Sequence, residues 1–187
     1  TLLRALADIY PLRKGRVVRL GQIATLFELG GVGGVFMTGR AYVHRWLRFN
    51  GVSRKHFPDL VEEVRDFSGL EGRLDDLINT YSAGMAARLY FSTATCLDHQ
   101  IYLIDEVLSV GDEYFQAKCL RRIRERLSKG ASGVLATHDW SAILRLCEQT
   151  NTLEKGRISY SGATESIICK HLNLSRQIEQ NSPARFM

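Results

Sequence analysis

The feature that most constrains the fold is a short apolar run over residues 101–106, which ends in two adjacent carboxylates, Asp105 and Glu106. Short apolar runs of this kind are typical of strands buried on both faces of a parallel sheet. A second run, over residues 133–137, is predicted to be another buried strand, and His138 follows it. Because parallel sheets place their chemistry at the carboxyl ends of their strands, these polar residues are candidate site residues.

Predicted helices and strands alternate along the rest of the chain, which indicates an α/β fold with a mainly parallel sheet. Residues 40–80 have a helical pattern, with Ser53 as a predicted N-cap and an apolar stripe that includes Val61 and Val64. The other predicted elements are helices from the N-terminus to Pro11 and over 82–96, 113–129, 140–147 and 163–173, strands over 16–20 and 22–28, a glycine-rich connector over 30–34, and a hairpin formed by 150–154 and 157–161.

Composition narrows the range of partners. The chain has 25 lysine and arginine residues against 20 acidic residues, and this net charge of +5 suits an acidic partner such as a nucleotide, a lipid headgroup or a nucleic acid. The densest basic cluster, residues 121–126, contains Glu125 and is interpreted as the solvated face of a helix, so nucleic-acid binding is not predicted.

The four cysteines lack the spacing of a zinc site or a disulfide framework. No apolar stretch approaches the roughly 20 residues of a membrane span, so membrane contact is expected to go through a partner.

The candidate site residues fall in a definite order along the chain. A helix is predicted to begin at Ser82, within the stretch Tyr81-Ser82-Ala83-Gly84-Met85, where small residues leave backbone N–H groups accessible to a phosphate. Farther along, Asp105 could bind Mg²⁺ through its oxygens, and Glu106 could polarise a water for attack on a phosphoryl group. A turn ending at Asp112 and then His138 complete the series. The alternatives are solvated acids at a strand end, an ordinary helix N-cap, a simple turn residue, and a core or helix-capping histidine.

In this order the parts resemble the signature motif, Walker B motif, D-loop and switch histidine of the ATPase domain of ABC transporters. The resemblance is closest to the ATP-binding subunits that export O-antigen and other cell-surface polysaccharides, which carry Y-S-S-G-M in place of L-S-G-G-Q. It extends from Thr1 to about Leu172, and the blocks that carry it are residues 81–85, 104–112, 137–139, 145–147 and 153–158. It implies a P-loop NTPase-like ABC ATPase domain over residues 1–174, with a helical subdomain at about 40–96 and a polar tail at 175–187.

The resemblance also implies roles for individual residues in the use of ATP and Mg²⁺. Asp105 would act on the metal, Glu106 would orient the hydrolytic water, and His138 would contact the γ-phosphate.

A second group of implied roles requires a second ATPase subunit, arranged head to tail with the first. Ser82, Gly84 and Met85 would face the ATP that the other subunit binds, and Asp112 would carry signals across the dimer. Glu28 stands where many ABC proteins have a glutamine in the loop that links the nucleotide to the permease. The residues around 33–42 depart from the family pattern, so this last assignment is the weakest.

The largest departure from the family is that no G-x-x-x-x-G-K-[ST] loop occurs in the chain. Thr1 resembles the residue that directly follows this Walker A loop, which makes it a candidate nucleotide contact and predicts that the loop and the first strands are missing. A polypeptide of these residues alone is therefore expected to bind ATP very weakly and to hydrolyse little of it.

The sequence predicts an ATP-binding and ATP-hydrolysing component of a polysaccharide exporter, N-terminally truncated. It would work with an integral membrane permease at the cytoplasmic face of the inner membrane. One alternative is a non-catalytic remnant that binds an intact ABC subunit. Another is an ABC ATPase outside transport.

Overall fold

A computed structural model of the chain describes residues 2–27, 36–106 and 111–170. The chain divides into two compact units, Thr1–Ala136 and Thr137–Met187, and each is described by itself.

The first unit contains a three-stranded parallel sheet with the order β1-β2-β3. The strands are β1 (Ile23–Leu26), β2 (Ile101–Asp105) and β3 (Ser132–Ala136). The central strand, β2, is the apolar run of the sequence, and its residues Tyr102, Leu103 and Ile104 are at most 2% exposed. Burial of β2 on both faces explains why its sequence is continuously apolar, and it confirms the strand predicted there.

The third strand corrects one prediction. Residues 132–136 do form a strand, but Val134 is 41% exposed, whereas this run was predicted to be buried. β3 pairs with β2 on one side, and no other described strand pairs with its outer side. Burial therefore depends on the position of the strand in the sheet, which an apolar run of residues does not encode.

The strand predicted over 16–20 is also wrong, because this stretch is irregular. Arg19 ties it to the end of the first helix, α1 (Leu2–Leu6), by donating hydrogen bonds to the carbonyl oxygens of Leu6 at 2.8 Å and Ala5 at 3.2 Å. Leu20 is 90% exposed, so its apolar side chain is not packed into a hydrophobic core. Alternating apolar residues do not make a strand without a partner to pair with, and no described segment pairs here.

Between β1 and β2 the chain forms a helical lobe, which consists of α2 (Gly39–Phe49), α3 (Phe57–Ser68) and α4 (Ala83–Ala94). A 3-10 turn, Arg54–His56, precedes α3, and two more, Glu71–Asp75 and Ile78–Thr80, follow it. The helical region predicted over 40–80 is thus confirmed.

The predicted apolar stripe forms part of the core of the helical lobe. Val61 and Val64 are at most 1% exposed, and Leu60 packs against the same cluster. Ser53 precedes the first 3-10 turn, but its side chain makes no capping hydrogen bond. The predicted cap bond is absent because α3 begins only at Phe57, with Pro58 in its first turn, where the missing N–H costs nothing.

After β2, the long helix α5 (Glu113–Ser128) leads back to β3 and buries Phe115, Cys119 and Ile123 at helical spacing. Lys118 donates a hydrogen bond of 2.9 Å from Nζ to the carbonyl oxygen of Phe67, at the end of α3. Arg122 lies 3.7 Å from the centroid of the Phe67 ring. The helical lobe is therefore attached to α5 by cations that bind the last turn of α3.

The second unit contains α6 (Trp140–Leu146) and an antiparallel hairpin of β4 (Gln149–Glu154) and β5 (Arg157–Ala163). Lys155 and Gly156 connect the two strands with positive φ angles of 48° and 77°, as a two-residue turn with the favoured twist requires. Residues 164–170 are helical. The predicted hairpin is confirmed. In the part of the chain that the structure describes, no helix is long and apolar enough to cross a bilayer.

Candidate functional site

The two carboxylates that follow the apolar run lie at the carboxyl end of the central strand. Asp105 is the last residue of β2 and pairs with Ala136 of β3, and both Asp105 and Glu106 are exposed. The rigid, buried strand behind them fixes where they emerge. They are therefore oxygen ligands presented to solvent at the sheet edge where parallel α/β folds bind ligands.

Glu106 has an unusual backbone conformation. Its φ angle is +48°, in the left-handed region that costs a residue other than glycine about 1 kcal/mol or more. Its amide N–H donates to the carbonyl oxygen of Ala136 at 3.1 Å, which extends the β2–β3 ladder by one bond. This bond holds the backbone of Glu106 in a strained turn directly after β2.

Ser82 begins helix α4 and caps it. Its hydroxyl oxygen accepts a hydrogen bond of 3.2 Å from the amide of Met85, and its carbonyl accepts one of 3.0 Å from the amide of Ala86. The N–H groups of Ala83 and Gly84 lie in the first turn, where no carbonyl of the helix can reach them. Those N–H groups and the helix dipole form a positive end that suits an anion.

Four of the predicted site residues line a single shallow cleft, the signature cleft, of about 540 Å³. They are Ser82, Gly84 and Met85 from the start of α4 and Asp112 from the start of α5. The structure thus brings together two stretches that are more than twenty residues apart in sequence. Asp105 and Glu106 do not line this cleft, so the predicted residues of the first unit form two separate groups.

Arg88 also lines the signature cleft, and sequence reasoning did not identify it. It forms an ion pair with Asp112, and its guanidinium lies 5.3 Å from the centroid of the Phe115 ring. Arg88 lies one helical turn after Gly84, on the same face of α4 as the cleft. This spacing in the sequence could have predicted that Arg88 lines the cleft. Arg88 joins the two helices that form the cleft.

Asp112 serves as the N-cap of α5. Its carboxylate accepts a hydrogen bond of 2.9 Å from the amide of Phe115. This bond, followed by the attraction of Arg88, holds the pKa of Asp112 below its ordinary value. Gly111 precedes it with a φ angle of +85°, and a Cβ added there would lie 3.1 Å from the Phe115 ring. Capping alone accounts for an aspartate here, so signalling across a dimer stays a prediction.

His138 lies in the second unit, just before α6. It is exposed, and the cap of α6 is Asp139, which accepts a hydrogen bond of 2.8 Å from the amide of Ser141. The Asp139 amide in turn donates to Thr137 Oγ1 at 3.1 Å. A core position and a capping role are therefore both excluded for His138, and its predicted contact with a phosphate stays a prediction.

Two candidate residues, Thr1 and Glu28, lie outside the described residues, as does the predicted glycine-rich connector over 30–34. Among the described residues there is no group of three or more histidine, cysteine or acidic side chains that could hold a metal ion by itself. A single carboxylate such as Asp105 is sufficient for Mg²⁺, because this ion commonly takes one or two carboxylates and completes its shell with water and phosphate oxygens.

Comparison with known proteins places this geometry in a family. No family model matches the chain. The O-antigen export system ATP-binding protein RfbB of Klebsiella pneumoniae is 36% identical over 168 residues, which are 90% of this chain and 68% of that protein. The teichoic acids export ATP-binding protein TagH of Levilactobacillus brevis is 30% identical over 91% of this chain and 47% of its own length.

A solved structure described as the ATP binding subunit of an ABC transporter has the same fold. The two share 25% sequence identity and superpose with a TM-score of 0.71, over 80% of this chain and 62% of that one. Two independent comparisons, of sequence and of fold, therefore agree. The chain belongs to the ABC transporter ATP-binding subunits, in the subfamily that exports O-antigen and related cell-surface polysaccharides.

Proposed function

We propose that the chain belongs to the Mg²⁺-dependent ATP-hydrolysing component of a polysaccharide exporter, and that each nucleotide is bound between two copies of that component. Because these residues contain no Walker A loop, such a loop would have to complete each site before ATP is hydrolysed. The observation that carries this proposal is the division of the candidate residues of the first unit into two groups. The carboxylates lie at the end of β2, while the phosphate-binding helix terminus lies in the signature cleft, which the carboxylates do not line. A nucleotide that needs both groups would take one from each chain, in a head-to-tail dimer.

Bound ATP would supply the reactive phosphoryl group, and bound Mg²⁺ would neutralise part of the negative charge of its phosphates. Glu106 would hold the attacking water by hydrogen bonding and accept its proton at a carboxylate oxygen, while the water oxygen bonds to the terminal phosphorus and the bond from that phosphorus to the ADP oxygen breaks. Asp105 would hold the Mg²⁺ directly or through a water. By the family resemblance, His138 would contact the γ-phosphate. The strained backbone of Glu106 suits this role, because strained residues often occur at functional sites and the backbone hydrogen bond fixes where this side chain begins.

The second copy contributes the signature cleft. The N–H groups of Ala83 and Gly84 would donate to phosphate oxygens, and the absence of a side chain at Gly84 leaves room for their approach. The hydroxyl of Ser82 already accepts from the Met85 amide, so its proton is available to donate. Arg88 offsets the negative charge of Asp112, so that this carboxylate repels a phosphate less. Thr1 and Glu28 would contribute further contacts to the nucleotide.

The proposed partners are a second ATPase subunit and an integral membrane permease, with the chain at the cytoplasmic face of the inner membrane. The exported substrate would be a cell-surface glycan such as O-antigen or a teichoic-type polymer, by analogy with the two relatives. The residues described here recognise phosphate and metal, and none of the roles proposed for them selects a sugar.

The test is the variant Glu106→Gln in cells whose export depends on this chain. We expect surface polysaccharide to disappear and ATP hydrolysis by the purified transporter to be lost, while the variant still assembles with its partners. Normal export and hydrolysis by this variant would refute the catalytic proposal. That outcome would support the alternative in which the chain binds an intact ABC subunit without catalysing hydrolysis.

A further inference from the structure

The helical lobe has a second concave site, which we call the basic cleft. It lies between α2, the 3-10 turn Arg54–His56 and the start of α3, and its volume is about 520 Å³. None of the candidate nucleotide residues that the structure describes lines it. The residues that line it and bear on its chemistry are Arg40, His44, Arg48, Arg54, Phe57 and Glu62.

Two of its arginines have no acidic partner. Arg40 is already engaged, because its Nε and a terminal nitrogen donate to the two carboxylate oxygens of Asp75 at 2.7 and 3.0 Å. Arg48 and Arg54 are exposed and form no ion pair within the described ranges 2–27, 36–106 and 111–170. Two guanidinium groups on the rim of one cleft are therefore available to an external anion.

Among the described residues that line the basic cleft, Glu62 is the one carboxylate, and it has its own partner. Glu62 forms an ion pair with Arg65, one turn farther along α3, which offsets much of its repulsion of an anion. The cleft therefore retains a net positive charge from Arg48 and Arg54.

The floor of the basic cleft is aromatic. His44 packs against Phe57, with 5.3 Å between the ring centroids, and Phe57 is only 9% exposed. Burial, together with the charges of Arg40 and Arg48, lowers the pKa of His44. The imidazole is therefore neutral at pH 7 and can both donate and accept a hydrogen bond.

We propose that the basic cleft binds the phosphate of an anionic lipid headgroup. A pocket of this volume fits one compact polar group, whereas an acidic peptide would need an extended groove. Planar guanidinium groups bind phosphate oxygens in pairs, and a half-buried neutral imidazole can hydrogen-bond the remaining oxygen or the headgroup alcohol. An ATP-binding subunit of a membrane transporter works beside a bilayer, where such headgroups are concentrated. The site does not depend on ATP hydrolysis or on the roles proposed for Asp105 and Glu106.

The matched control comes from the same two elements. Arg45 on α2 and Lys55 in the 3-10 turn are exposed but do not line the basic cleft. The double variant Arg48→Glu with Arg54→Glu and the control Arg45→Glu with Lys55→Glu both lower the formal net charge from +5 to +1, because each substitution changes it by two. Any difference in vesicle binding between the two double variants is therefore caused by the cleft and not by the overall charge.

The experiment is flotation of the full chain with vesicles of phosphatidylcholine, with and without phosphatidylglycerol. We expect binding only to the vesicles with phosphatidylglycerol. The cleft variant should bind about tenfold more weakly or worse, and the control should lose much less. Circular dichroism verifies the fold of each variant, and the neutral pair Arg48→Gln with Arg54→Gln repeats the test if the charge reversal unfolds the chain.

Equal losses in the cleft variant and the control would overturn the proposal, because they would show a diffuse basic surface. Absence of binding to phosphatidylglycerol vesicles would do the same. Competition distinguishes the source of the anion. If inorganic phosphate displaces the chain from the vesicles at matched ionic strength, and calorimetry gives phosphate the same affinity as the lipid, the cleft is a site for free phosphate. If polyglutamate displaces the chain more strongly than phosphate does, the cleft is a site for an acidic protein segment.

Discussion

The two groups of candidate residues in the first unit differ in what supplies their chemistry. At the end of β2, the candidate groups are the exposed side chains of Asp105 and Glu106, which follow a buried strand. In the signature cleft, the groups that face solvent are backbone N–H groups at the start of α4, and small side chains leave them accessible. The first group should therefore be destroyed by changing a side-chain atom, and the second by adding a side chain.

The largest effect is expected for Glu106→Gln, which keeps the shape of the side chain but removes the proton acceptor. Hydrolysis should fall by about 10²–10⁴-fold, while binding of ATP to the transporter persists. A steady-state phosphate-release assay and a nucleotide-binding assay on the same preparation measure the two quantities. The control is Glu113→Gln, an exposed glutamate in the first turn of α5. Equal activity in the two variants would contradict the assignment of Glu106.

The next largest effect is expected for Gly84→Asp in the signature cleft. A Cβ at this position would lie 3.9 Å from Ser82 Oγ, an ordinary contact, so the fold should be retained. A carboxylate near the helix N-terminus even favours the helix, but it repels phosphate. We expect hydrolysis to fall about 10²-fold without a fall in melting temperature.

Gly72→Asp provides the matched control for that variant, because Gly72 is exposed and has no atom within 4 Å of an added Cβ. It should hydrolyse ATP at the rate of the unmodified chain. If Gly84→Asp has no more effect than Gly72→Asp, the signature cleft does not face the nucleotide.

A smaller effect, measured on stability, tests the connection between α4 and α5. Arg88→Ala removes the contact with the Phe115 ring, and the free energy of unfolding should fall by about 0.5–1 kcal/mol. Chemical denaturation measures this change, with Arg124→Ala as the control because Arg124 is exposed on α5. Unchanged stability in Arg88→Ala would show that the two helices are held together by other contacts.

The smallest effect concerns acid stability. Because the Phe115 amide and Arg88 lower the pKa of Asp112 in the folded chain, its carboxylate stabilises the fold at pH values above the ordinary pKa of 3.8. That contribution is lost as the pH falls from 3.8 through the lowered value. The stability advantage of the unmodified chain over Asp112→Asn should therefore shrink in this acidic window. Thermal melting of both chains across it gives the difference, and a difference independent of pH would contradict the lowered pKa.

The elements that the sequence predicted correctly are those whose signals are local. The apolar run of β2, the Lys155-Gly156 turn and the Ser82 cap each depend on a few adjacent residues. The same holds for the apolar stripe of α3, which has helical spacing and a single buried face.

The features that were missed depend on contacts between distant segments. The exposure of β3 follows from its place at the edge of the described sheet, and the irregular path of residues 16–20 follows from the hydrogen bonds of Arg19 to the end of α1. Arg88 was missed because its partner, Asp112, lies on a different helix. The motifs named the candidate residues, whose roles stay predictions, but they did not predict that four of them line one cleft without the carboxylates.

The central claim is that the carboxylates of one chain and the signature cleft of another act on one nucleotide. The most direct test uses ATPase subunits that also carry the family's Walker A loop, mixes Glu106→Gln subunits with Gly84→Asp subunits, each inactive alone, and measures ATP hydrolysis. Random pairing makes half of the dimers mixed, and each mixed dimer has one of its two sites with both groups intact. We therefore predict recovery of about a quarter of the unmodified activity. Activity no higher than that of the separate variants would contradict the claim, because both groups would then have to act within the same chain.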